Sequence, residues 1–132
     1  MAVTFPKLLR ALIGIAAAGG IAPLPAGAGE PEDQAVIVHL KLSNSEFGSE
    51  GESFALYDVE DAVESAIGAA GRIDGHQIGG GYFTIFTYGR DADELFGVIR
   101  PALDSPVIRP GSYVLVRRGG PETPADRVDL NP

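Results

Sequence analysis

The chain has 132 residues, 18 Asp and Glu against 10 Lys and Arg, no Cys and no Trp. This length sets one domain at most, and 45% apolar residues exclude a mainly disordered chain. Without Cys there is no disulfide framework, thiolate zinc site, iron–sulfur cluster or cysteine nucleophile. Two His leave little for a histidine metal site, and a net charge of −8 opposes nucleic-acid binding.

Residues 1–28 read as an export signal. Lys7 and Arg10 precede an uncharged stretch with Leu12, Ile13, Ile15, Ile21 and Leu24, and Ala26-Gly27-Ala28 supplies small residues for cleavage. Cleavage after Ala28 removes two cations and no acid, leaving 104 residues with a net charge of −10. The expected location is periplasmic or secreted. The alternative is a membrane anchor over residues 11–24, which Gly19, Gly20 and Pro23 make a poor spanning helix.

After an acidic lead-in over residues 29–34, residues 35–42 predict a strand. Val36, Val38, Leu40 and Leu42 line one face, and Ile37, His39 and Lys41 the other. Residues 43–51 form a loop of Ser, Asn, Glu and Gly. Leu56, Val59, Val63, Ala66, Ile67 and Ala70 then repeat at helical spacing, predicting a helix over 53–70 with Asp58, Glu60, Asp61 and Glu64 outward. Gly71 is the expected left-handed stop.

Residues 72–78 and 82–88 predict two antiparallel strands joined by Gly79-Gly80-Gly81. The competing turn is Asp74-Gly75, which would make the triple glycine a bulge. Asp91 caps a second helix over about 92–103, weakened near its end by Pro101. Residues 112–117 are the last strand, and residues 119–132, with three prolines, a loose tail.

The order β-α-β-β-α-β predicts an α+β fold of ferredoxin-like type over residues 35–118. Its four-stranded antiparallel sheet has spatial order 4-1-3-2 and two helices on one face. The stretch from Gly71 through Asp74-Gly75-His76, the triple glycine, Tyr82 to Tyr88 and Arg90-Asp91 to Leu95-Phe96, on to Arg100-Pro101, resembles small bacterial proteins of unknown function with a ferredoxin-like fold. The resemblance covers about half of residues 29–132. It implies the fold and no activity or catalytic residues.

Chemical motifs are sparse. The triple glycine is followed by a strand and lacks a Lys-Ser/Thr pair, so it reads as a turn and not a phosphate loop. Asp91, Asp93 and Glu94 match calcium ligands in composition only; helix capping accounts for them. Glu46, Glu50 and Glu52 read as solvated loop acids. On a regular strand Asp74 and His76 share a face, where they could form an acid–base pair; with His39 on that face they would suit a metal. No nucleophile or pocket accompanies them, and no cofactor is expected.

The helix-free sheet face is the more informative feature. It carries Ile37 and His39, either Tyr82, Thr84 and Phe86 or Phe83, Ile85 and Thr87, and either Tyr113 and Leu115 or Val114 and Val116. An apolar open face suggests a protein partner or a homodimer. The expectation is a non-catalytic binding domain, with His39, Asp74, His76, Tyr82 and Tyr113 as candidate ligand contacts. Alternatives are a small metal-dependent or acid–base enzyme using Asp74, His76 and His39, or an acidic immunity-type protein.

Overall fold

The computed structural model describes residues 34–131; the expected leader and most of the acidic lead-in lie outside them. Nine segments follow in order: β1 (Gln34–Lys41), α1 (Glu52–Ile67), a 3-10 turn (Gly68–Ala70), β2 (Arg72–Gly79), β3 (Tyr82–Gly89), α2 (Ala92–Ile99), a second 3-10 turn (Arg100–Leu103), β4 (Tyr113–Arg117) and β5 (Ala125–Asp129). This is an α+β architecture with two helices and an antiparallel sheet. The sheet has five strands in the order β2-β3-β1-β4-β5, not the four expected.

The fifth strand corrects the expectation of a loose tail. Residues 125–129 pair in register with β4, from Arg117 opposite Ala125 to Tyr113 opposite Asp129. Leu130 beyond them is 3% exposed in the core, and its N–H donates to the Ser112 carbonyl at 2.9 Å.

Alternation of apolar and polar residues in β1, β3 and β4 sets the two sheet faces. Val36, Val38, Leu40, Phe83, Ile85, Val114 and Val116 are buried against α1 and α2. The helices contribute Leu56, Val59, Val63 and Ile67 from α1, and Ala92, Leu95 and Ile99 from α2. Thr87, on the same inner face, satisfies its hydroxyl by donating to the Val36 carbonyl at 2.6 Å. Asp91 caps α2 as its side chain accepts from the N–H groups of Asp93 and Glu94.

The triple glycine is the turn of the β2–β3 hairpin, and the competing reading, with the turn at Asp74-Gly75 and a bulge at the triple glycine, does not hold. Gly80 and Gly81, with φ 63 and 88, make the two-residue turn. Asp74-Gly75 is the bulge: two residues separate Ile73 from His76, while only one separates their partners Thr87 and Ile85. The helix stop differs from expectation. Gly68 (φ 51) follows α1, whereas Gly71 is extended (φ 172) and sits so close to the Tyr88 carbonyl that a Cβ would collide with it.

Candidate functional site

Cross-strand register fixes which side chains share the face away from the helices. Leu115, Ile37 and Phe86 form one row across β4, β1 and β3. Tyr113, His39 and Thr84 form the next, and Lys41 lies opposite Tyr82 beyond it. Of the two alternatives left open by the sequence, the Tyr82, Thr84, Phe86 set is outward, together with Tyr113 and Leu115. All of these are half-buried, and both helices lie on the other side of the sheet.

The aromatic groups of this face interlock. The His39 ring stacks on Tyr113 with centroids 4.5 Å apart and planes at 16°. Tyr82 meets both rings edge-on, at 5.8 Å from His39 and 5.6 Å from Tyr113. Arg127 of β5 lies over the other side of Tyr113, its Cζ 3.8 Å from the centroid, and Lys41 Nζ lies 5.6 Å from the Tyr82 centroid. A guanidinium, a phenol, an imidazole and a second phenol thus run across four strands. Cation–π attraction and ring stacking hold them against one another.

His39 is poorly solvated in this row. Its Nδ1 lies 3.4 Å from Thr84 Oγ1, and its Nε2 is buried with no hydrogen-bond partner. Burial and the nearby Arg127 charge both push its pKa below the usual imidazole value of 6.5. Both effects favour the neutral, stacking form of the ring over the cation.

The other two candidates lie elsewhere. Asp74 accepts from Arg72 Nη1 at 3.0 Å, and Arg72 lies over Tyr88, its Cζ 5.5 Å from the centroid. Burial, reinforced by Asp74, raises the Tyr88 pKa. His76 faces the helices. It stacks on Phe83 at 4.7 Å, touches Tyr57 at 5.3 Å, and its Nδ1 lies 2.9 Å from Glu60 Oε1 of α1.

Three of the five candidate residues thus meet, His39, Tyr82 and Tyr113, while Asp74 and His76 are on opposite faces. The cluster of His39, Asp74 and His76 does not form, because the bulge moves His76 to the covered side. Among the described residues no three His, Asp or Glu side chains are grouped to hold a metal ion. Sequence reasoning missed Arg127, because nothing in a proline-containing polar tail signals a strand.

Comparison with protein-family models, with curated proteins and with solved structures finds no match for this chain. Among the described residues no helix is long and apolar enough to cross a membrane.

Proposed function

We propose that this protein is a non-catalytic binding domain that receives a protein partner on the helix-free face of its sheet. The observation that carries the reading is the apolar row Leu115–Ile37–Phe86 running beside the stacked Tyr113, His39 and Tyr82. A contiguous apolar and aromatic surface of this kind supplies rigid contact area at small entropic cost, as aromatic interface residues do. An acid–base or metal-dependent reaction of Asp74, His76 and His39 needs the three on one face, which the Gly75 bulge opposes.

We read the first four strands and the two helices as a ferredoxin-like βαββαβ unit, extended at one edge by β5. The order β2-β3-β1-β4 supports this. We also read residues 1–28 as an export signal and the location as periplasmic or secreted. A mass beginning at Gly29 in protein recovered from the cell envelope supports export; a full-length cytoplasmic species overturns it.

Sedimentation of the full chain, combined with fluorescence of an apolar dye, tests the sheet face. Self-association or dye binding that Leu115→Asp abolishes is the expected result. A monomer whose dye binding is the same in both proteins overturns the reading.

A further inference from the structure

The two most exposed large apolar side chains among the described residues are Phe54 and Phe47, at 70% and 67%. Neither belongs to the sheet face. Phe54 sits in the first turns of α1, 6.3 Å from Tyr57, which in turn contacts His76 of β2. Phe47 projects from the preceding loop and reaches the end of β2, where a Cβ added to Gly79 would touch its ring at 3.6 Å. Both rings therefore flank the same side of the molecule, at the corner between α1 and the β2–β3 turn.

That corner is rigid. Asn44 Oδ1 accepts from the N–H groups of Glu46 and Gly48, both at 2.9 Å. The Gly81 N–H donates to the Glu46 carbonyl at 2.9 Å, and Glu52 accepts from Ser43 and Ser49 on either side. These bonds fix the backbone that carries Phe47, so the loop itself loses little freedom when the ring is covered.

The surroundings select the occupant. Exposed Glu46 and Glu50 flank Phe47 in the loop, and exposed Asp58 and Asp61 follow Phe54 by one and two turns of α1. None of the ion pairs among the described residues uses these four carboxylates. A nucleic acid or an anionic lipid surface would be repelled. A second copy docked face to face would bring the same acids together.

We propose that Phe47 and Phe54, with Glu46, Glu50, Asp58 and Asp61, form a docking surface for a cationic polypeptide segment that also carries apolar side chains. Arginine suits it best, because its guanidinium can lie over a phenyl face while donating to a neighbouring carboxylate. This surface is separate from the sheet face, so it stands or falls independently of the function proposed above.

The test is NMR titration of the labelled full chain with a short synthetic peptide alternating arginine and leucine, and with its glutamate–leucine counterpart. Amide shifts concentrated around Phe47, Phe54, Asp58 and Asp61 are expected, with binding weakened roughly tenfold or more by Phe47→Ala with Phe54→Ala. Asp58→Asn with Asp61→Asn should weaken binding and flatten its salt dependence. The exposed positions of all four residues leave the core intact, and unshifted resonances of Val36 and Ile85 check this. Shifts on the sheet face, affinity indifferent to the phenylalanines, or equal binding of the glutamate peptide overturn the proposal. A dimer of the chain that the phenylalanine substitutions dissociate also overturns it, since the occupant is then a second copy.

Discussion

Asp74 and His76, two residues apart in β2, lie on opposite faces of the sheet because Gly75 is an extra residue between them. Asp74 stays with Arg72 on the open face, while His76 turns under α1 to Glu60. The bulge thus builds a half-buried histidine contact with α1 from a strand whose regular alternation would have put that histidine on the open face.

Gly75 holds φ at 105, a conformation that side chains with a Cβ rarely adopt. Gly75→Ala should therefore lower stability by about 1 to 3 kcal/mol. Thermal unfolding reads the cost. NMR contacts between His76 and Phe83 report whether the register survives, and an unchanged Tm would mean that the bulge relaxes without strain.

The parts legible in the sequence are those whose local signals agree with their tertiary setting. Residues 82–88 alternate, carry β-branched and aromatic side chains, and follow a glycine turn; they form β3. Asp91 stands where a cap is needed and caps α2. What was not legible depends on partners distant in the chain. The face of β3 that points outward follows from its pairing with β1, which a one-residue slip would invert. Ala125–Asp129 has a weak strand composition, and its polar character is what an outermost strand tolerates. Its pairing comes from β4 and its anchor from Leu130, neither of which local propensity contains. The His39, Tyr82 and Tyr113 cluster was partly legible, as three aromatic groups in strands; the fourth member, Arg127, was hidden with β5.

Leu130 tests that anchor. It is 3% exposed, its N–H is bonded to Ser112, and Asn131 Nδ2 donates to the Ile108 carbonyl at 2.8 Å. Leu130→Ala should cost about 2 to 4 kcal/mol, the range for a buried leucine that leaves a cavity. Urea unfolding measures it. A loss under about 0.5 kcal/mol, the scale of a surface substitution, would mean that β5 is not fastened to the core.

His39 gives the stability a pH dependence of known sign. Burial, with Arg127, lowers its folded pKa below 6.5, so the unfolded chain takes up the proton first as the pH falls. The stability is complete above pH 6.5 and declines as the pH drops from there through the folded value. His39→Phe keeps a ring against Tyr113 and removes the proton site. Urea midpoints measured at several pH values should show the variant losing less stability than the parent below pH 6.5. Parallel curves would contradict the burial of this ring.

Glu52 joins the fold to the exposed Phe47. Its side chain is 11% exposed and collects bonds from Ser43 N at 2.9 Å, Ser43 Oγ at 2.6 Å, Ser49 N at 2.8 Å and Arg109 Nε at 3.2 Å. Burial alone would raise its pKa, but the hydrogen bonds from Ser43 and Ser49 outweigh burial and hold it at about 2. The stabilisation is present above the ordinary value of 4.5 and is lost as the pH falls through about 2. Glu52→Gln offers one accepting oxygen where two carboxylate oxygens now serve five donors, Ser49 Oγ at 3.2 Å being the fifth, so it should cost about 2 to 4 kcal/mol near neutrality. It should also loosen residues 43–51, raising amide exchange at Phe47. The stability gap between parent and variant should close as the pH approaches 2, because protonation strips the parent of the same charge. A gap that stays constant across that range would show that Glu52 acts by its shape and not by its ionised oxygens.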